Sequence, residues 1–371
     1  MFKIIQQSKI SKARIGKLKT LHGMAETPFF MPIATRGAVK NLSPDELKNI
    51  GASVVLSNTF HLFIKPGLDI LKKVKGLHNF MGWQAPILTD SGGYQVFSLA
   101  KNRKITDEGV EFKSPYDGAS IFFSPEVVID AQKKIGSDIL MVLDECPSFI
   151  KDKSVIERAV ERTTLWAKRS RVYFKKSFRA KKPLLFGIVQ GGIFKDLREK
   201  SAQDLVKIGF DGYAIGGLCL GEDNQETKKV LSWLSDILPS DKPRYQMGTG
   251  FPEQIVQAVK LGVDMFDCVL PTRNARHGEL FVFKRNHKSE INLDKNFYEK
   301  VKIGNSQFKN DFKSLDKFCA CYFCKNFTKA YLNHLFRVGE PLYQRLASLH
   351  NLRFYFELME KIKDDIRKGK V

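Results

Sequence analysis

The chain has 371 residues, 43% of them hydrophobic and 27% charged, the balance of a globular protein with enough apolar material for one large domain or two ordinary ones. No apolar run reaches the roughly 18 residues of a membrane-spanning helix, and residues 1–7 lack the long apolar core of a secretory signal, so a cytoplasmic protein is expected. The net charge of +21 points to a polyanionic partner, because lysine and arginine gain free energy by releasing counterions from phosphates; a lysine-rich proteome would give the same excess.

In chain order, short apolar runs ending in small or polar residues alternate with longer amphipathic stretches. The runs are 29–35, 53–59, 86–92, 138–145, 184–190, 212–218, 244–250 and 265–270. Ser43-Pro44 and Ser124-Pro125 read as N-caps followed by proline at the first helical position. Residues 153–180, 194–208 and 223–238 carry helical periodicity. Eight strand–helix units predict an α/β fold, a (β/α)8 TIM barrel, with a doubly wound open sheet as the alternative. The alternation breaks after about 275. The main part of the barrel is therefore expected over 1–274, a small inserted subdomain over 275–350 and a closing helix over 351–371. The Lys/Arg-rich stretch 151–182 reads mainly as the solvated face of an outer helix, and 284–317 is a second basic stretch.

Asn58, Asp90, Asp144, Gln190 and Gly217 stand at the ends of predicted strands, and Asp267 lies within the last. A barrel places its active site at strand C-termini, so these side chains are expected to converge on one polar pocket. Asp90-Ser91-Gly92-Gly93-Tyr94 combines a carboxylate, a tight turn that lets backbone approach a ligand, and an aromatic face for a flat molecule. An Asp before Gly-Gly is also an ordinary turn residue. Asp267 sits among apolar neighbours, where a carboxylate is costly unless it serves chemistry or pairs with a cation; Asp264 could be a cap. Asp144, Gln190 and the Gly216-Gly217-Leu218 backbone could offer donors and acceptors to a planar heterocycle. Arg273 and Arg276 would flank the pocket, where they could hold phosphates or read base edges.

Of the six cysteines, Cys146, Cys219 and Cys268 are scattered, whereas Cys319-x-Cys321-x2-Cys324 is clustered. That spacing suits three thiolates on one tetrahedral Zn²⁺, with a histidine as fourth ligand. His334 and His350 are both candidates, and spacing does not choose between them.

These motifs resemble the bacterial tRNA-guanine transglycosylases. The resemblance runs from Pro28-Phe29-Phe30-Met31-Pro32 to His350-Asn351-Leu352. It includes Ser57-Asn58-Thr59-Phe60-His61-Leu62, the Asp90–Leu99 block, Gly187-Ile188-Val189-Gln190-Gly191-Gly192, and Met265-Phe266-Asp267-Cys268-Val269-Leu270-Pro271-Thr272-Arg273. It implies Asp267 as nucleophile on the anomeric carbon of a wobble guanosine and Asp90 as general acid/base. It implies Asp144, Gln190, Gly217 and Leu218 as base-binding residues, with Tyr94 and Met247 sandwiching the base. Arg273 and Arg276 would contact the tRNA, and His350 would complete one structural zinc site per subunit. The implied substrates are tRNAs with GUN anticodons (Asp, Asn, His, Tyr), guanine and 7-aminomethyl-7-deazaguanine, and the implied assembly is a homodimer. Relatives that use queuine, and non-catalytic tRNA-binding relatives, are the alternatives; a non-catalytic relative would be expected to lack Asp90 or Asp267. Phe60 in place of tyrosine, Lys65 in place of arginine, Thr249 in Met-Gly-Thr-Gly and His277 depart from the family pattern and touch no assigned catalytic position.

Overall fold

The computed structural model describes residues 1–99, 103–147, 152–286, 290–294 and 296–371, with backbone alone for 97–99. Lys151 of the first basic stretch, and residues 287–289 and 295 of the second, lie outside the described residues.

Each of the eight apolar runs forms a short strand: β1 Phe29–Met31, β2 Val55–Asn58, β3 Ile87–Asp90, β4 Ile139–Met141, β5 Leu184–Val189, β6 Gly212–Ile215, β7 Arg244–Gln246 and β8 Met265–Asp267. They are parallel, in the order β1-β8-β7-β6-β5-β4-β3-β2, and a bridge between Ile33 and Leu56 closes the ring. Almost every strand residue is buried, because side chains point alternately into the barrel and under the surrounding helices. This double burial explains why the strands read as continuous apolar runs and not as alternating ones.

The helix signals hold where cap chemistry is present. Ser43 forms a reciprocal capping box with Glu46 ahead of helix Pro44–Asn49. Ser124 accepts from the Val127 amide ahead of Pro125–Ile135, and Asp223 makes a capping box with Glu226 ahead of Asn224–Ile237. Helix Lys153–Ser177 turns Ile156, Val160, Trp166 and Phe174 inward and leaves most of its cations outside. No helix of the described residues is long and apolar enough to cross a membrane.

Two antiparallel sheets were not anticipated. One, Phe2–Gln7, Arg14–Thr20 and Gly23–Thr27, leads directly into β1 at the N-terminal end of the barrel. The other, Arg103–Ile105, Val110–Lys113 and Ser120–Phe123, is inserted between β3 and β4. The first is locked to the barrel through acids at strand starts. Arg14 donates to both oxygens of Asp264 at 2.9 and 2.6 Å, and Asp264 also accepts from the Arg244 amide at 2.7 Å. Asp264 is thus a buried ion-pair partner in addition to any capping role. Asp138, just before β4, likewise accepts from His22 Nδ1 and His78 Nε2, each at 3.0 Å.

Past β8 the chain forms a hairpin, Glu279–Phe283 with Tyr298–Lys302, then helices Tyr322–Asn326 and Lys329–Val338. A separate small core of Leu280, Ile303, Leu315, Phe323, Leu332 and Leu346 surrounds the clustered cysteines. The last helix, Pro341–Arg367, begins ahead of the boundary expected at 351. Its first turns belong to the small core and its later turns, with Tyr355, Leu358 and Ile362, pack into the main one.

Removing one partner of a buried ion pair strands the other charge in low dielectric. Asp264→Ala is therefore expected to lower unfolding free energy by about 3–5 kcal/mol. Urea unfolding measures this, and a loss below about 1 kcal/mol would contradict the structural role.

Candidate active site and metal centre

The C-terminal ends of the barrel strands enclose a cavity of about 710 Å³, within the usual range for small-molecule sites. Asp90, Tyr94, Asp144, Gly217, Leu218, Met247, Asp267 and Arg273 all line it.

Asp90 ends β3. Its Oδ2 accepts from Asn58 Nδ2 at 2.6 Å and its Oδ1 from the Thr59 amide at 3.2 Å. Burial pushes the carboxyl up to about 7, and the nearby Asp267 and Asp144 charges push the same way. Asp267 ends β8. Its Oδ1 accepts from the Tyr245 hydroxyl at 2.5 Å and from the Gly248 amide at 2.8 Å. Both bonds fall on one oxygen, so Oδ2 has no partner among the described residues. Burial raises this carboxyl as well.

Asp144 lies beyond the end of β4. Its Oδ1 accepts from Ser91 Oγ at 3.0 Å and its Oδ2 from Gln190 Nε2 at 2.8 Å, while burial pushes it up to about 6. Gln190 is not part of the cavity lining; it stands behind Asp144 and fixes that carboxylate. The wall is built tightly enough to demand glycine. Gly217 has φ +64°, and a Cβ there would meet Gln190 Oε1 at 2.4 Å; a Cβ at Gly93 would meet the Asp144 carbonyl oxygen at 2.6 Å. Arg273 and Arg276 stand on helix Leu270–Arg276 directly after β8. Arg273 is exposed at the cavity, whereas Arg276 turns back to the Thr272 carbonyl at 2.9 Å.

A second cluster lies in the small core. Cys319, Cys321, Cys324 and His350 are all buried, and their ligand atoms lie within 4.8 Å of one another. His350 Nδ1 is 3.6, 3.6 and 3.3 Å from the three sulfurs. Its Nε2 is 2.8 Å from the Phe281 carbonyl, an acceptor only, so Nε2 carries the proton and Nδ1 presents a lone pair to the thiols. The Cys324 amide donates to Cys321 Sγ at 3.4 Å, and hydrogen bonds from Cys319 and Cys324 draw the Cys321 thiol below its ordinary value. A fixed histidine tautomer and four converging, buried ligand atoms fit Zn²⁺ with every protein position filled, the arrangement of a structural site. His334 is exposed on helix Lys329–Val338 and is not in the cluster.

A family model described as queuine tRNA-ribosyltransferase matches residues 8–371. The chain belongs to that family. It is similar to proteins named queuine tRNA-ribosyltransferase from several bacteria. That of Dictyoglomus turgidum is 47% identical over 371 residues, 100% of this chain and 92% of the relative. That of Halothermothrix orenii is 47% identical over 367 residues, 99% of this chain and 94% of the relative. That of Caldanaerobacter subterraneus is 48% identical over 370 residues, 100% of this chain and 94% of the relative.

Three residues that support the pocket escaped the sequence reading. Tyr245 is wholly buried in β7 and holds Asp267; an aromatic residue within a predicted strand reads as core. Glu222 accepts from the Cys219 amide, from the Leu220 amide at 3.0 Å and from Thr227 Oγ1 at 2.9 Å, bracing the loop after β6. Arg198, also wholly buried, donates to the carbonyls of Gly192, Val189, Gly216 and Gly217 at 2.7, 2.9, 2.8 and 3.3 Å. It ties the loops after β5 and β6 together. Its signal was available, since an arginine on the apolar face of helix Lys195–Ile208, beside Leu197, Ser201 and Ala202, needs buried acceptors.

Metal analysis of purified variants tests the ligand set. Cys321→Ser and His350→Ala are expected to fall from about one zinc per chain to near none and to melt earlier, whereas His334→Ala keeps its metal.

Proposed function

We propose that the chain is a pentosyltransferase that exchanges the wobble guanine of GUN-anticodon tRNAs (Asp, Asn, His, Tyr) for 7-aminomethyl-7-deazaguanine. Family membership supports base exchange in tRNA. The observation that carries the chemistry is the pair of carboxylates on one cavity: Asp267 with one oxygen clamped and the other without a partner, and Asp90 poised near 7.

In this reading Asp267 Oδ2 attacks C1′ of the target ribose. The C1′–N9 bond breaks, its electron pair goes to the purine, and protonated Asp90 supplies the proton that neutralises the departing guanine. The ribose is held as an ester on Asp267. The incoming base then gives its proton to the Asp90 carboxylate and attacks C1′, releasing Asp267. Two displacements retain the sugar configuration, as in retaining glycosidases. Asp144, held by Ser91 and Gln190, and the Gly217-Leu218 backbone receive the polar edge of the base, and Tyr94 and Met247 cover its faces. Gln190 thus acts on the base through Asp144. Arg273 and Arg276 contact the neighbouring nucleotides. A single-stranded loop suits such a pocket, because the target must leave its stack. Zinc on the Cys319/Cys321/Cys324/His350 cluster holds the small subdomain and takes no part in the reaction. A homodimer is the expected working form.

Radiolabelled guanine and an unmodified GUN-anticodon tRNA test this directly. Wild type is expected to incorporate label that 7-aminomethyl-7-deazaguanine chases out; chase by queuine alone would overturn the substrate, and no incorporation would overturn the reaction. Asp267→Asn is expected to lose about a thousandfold or more in rate. The same variant is expected to melt higher than wild type at neutral pH, because its Oδ1 can keep both bonds while a buried charge is removed.

Asp90 gives a pH prediction. It is neutral below about 7, so single-turnover guanine release should slow as pH rises through that value. The second half-reaction needs the carboxylate and should speed up over the same range. Steady-state exchange is therefore expected to peak near neutrality, and Asp90→Asn to abolish the pH dependence of release along with most of its rate.

A further inference from the structure

Three segments meet at the cavity rim on the side of β1 and β2. Arg36 follows Thr35 in the loop after β1. Lys65 lies in the segment after β2, and Tyr116 lies between Val110–Lys113 and Ser120–Phe123 of the inserted sheet. Arg36 donates to the Tyr116 hydroxyl, and its guanidinium carbon is 5.5 Å from the ring centroid. Lys65 Nζ is 4.6 Å from the same centroid. All three side chains are exposed.

The cluster belongs to the mouth of the cavity. Thr35 and His61 line the cavity itself, and burial, helped by the Arg36 charge, holds His61 below its ordinary value. Arg273, Arg36 and Lys65 follow β8, β1 and β2, which are consecutive around the barrel, so the cations form an arc along one side of the opening. Among the described residues, neither Arg36 nor Lys65 has an ion-pair partner. Asp117 is the neighbouring acid; it accepts from the Ala119 amide at 3.2 Å and feels the Lys65 charge, but it forms no ion pair with either cation among the described residues.

Two like charges gathered on one ring oppose each other, and the exposed ring offsets this only in part. An anion bridging them converts the repulsion into attraction. We propose that Arg36 and Lys65, held in place by Tyr116, form a receptor for a backbone phosphate of the RNA strand beside the nucleotide that enters the cavity. The proposal rests on the tRNA reading above and extends it. A phosphate there would anchor the strand at the rim while the target base is out of its stack, a positioning contact that carries no sequence information.

The test is equilibrium binding of a fluorescently labelled, unmodified anticodon stem–loop at several KCl concentrations. Proteins compared are wild type, Arg36→Gln, Lys65→Gln, Tyr116→Phe and Tyr116→Ala, with thermal unfolding as the control for folding. Arg36→Gln and Lys65→Gln are each expected to weaken binding about tenfold at low salt and to lower the slope of log K against log salt by about 0.7. Tyr116→Ala should weaken binding comparably without removing a charge, and Tyr116→Phe should retain most of the affinity. Unchanged affinity and slope in both charge variants, with wild type binding tightly, would overturn the receptor and leave the tRNA reading standing. Failure of folded wild type to bind the stem–loop at all would overturn both.

Discussion

Three carboxylates are buried together at the C-terminal mouth of the barrel, and much of the molecule exists to make that tolerable. Asp90, Asp144 and Asp267 each forfeit hydration, and the charges of Asp267 and Asp144 further oppose ionisation of Asp90. The cost is met by fixed donors: Asn58 and the Thr59 amide for Asp90, Ser91 and Gln190 for Asp144, Tyr245 and the Gly248 amide for Asp267. The distribution of donors separates the three. Asp90 and Asp144 have both oxygens bonded, whereas Asp267 leaves one oxygen without a partner among the described residues, the oxygen that the proposed reaction uses. Preorganisation of this kind demands rigid strands, and a closed ring of parallel strands supplies them.

The same constraint extends outward. Asp144 depends on Gln190, Gln190 leaves no space for a side chain at Gly217, and the loops carrying Gln190 and Gly217 are tied by the buried Arg198 guanidinium. Burial pushes that guanidinium down to about 10, so it keeps its charge at neutral pH and its donors stay aimed at carbonyls. At the opposite end, Arg14 and His22 of the N-terminal sheet satisfy acids that precede β8 and β4. The cavity end and the opposite end are thus organised alike, by burying charge against a committed partner.

The barrel was legible in the sequence because fully buried parallel strands leave uninterrupted apolar runs, and all eight observed strands fall inside the predicted ones. The strand-end rule then placed Asn58, Asp90, Asp144, Gly217 and Asp267 at the cavity without reference to any relative, whereas Met247 came only from the resemblance. Where legibility failed, the reasons are physical. Arg103–Ile105 and Ser120–Phe123 are short strands with exposed faces; the first has no apolar run, and the second has only the three residues Ile121-Phe122-Phe123. Phe2–Gln7 alternates between half-buried and exposed, and reads as a polar tail until its partner strand is known. The bond from Gln190 Nε2 to Asp144 was not foreseen, because a strand end predicts proximity to a site and not which atoms a side chain spends on its neighbours. The fourth metal ligand could not be chosen from spacing, since His350 reaches the cysteines only through the path of the final helix. The family resemblance implied His350, and the fold brings it to the thiols.

In the proposed reaction Asp267 Oδ2 is the atom that holds the ribose. The most direct measurement is to incubate the protein with an unmodified anticodon stem–loop RNA, deplete free guanine, denature at low pH and map the adduct by mass spectrometry. The predicted result is a ribosyl ester on the peptide carrying Asp267, removed when 7-aminomethyl-7-deazaguanine is added before denaturation. An adduct on Asp90, or active protein that exchanges guanine while no adduct forms under any trapping condition, would contradict it.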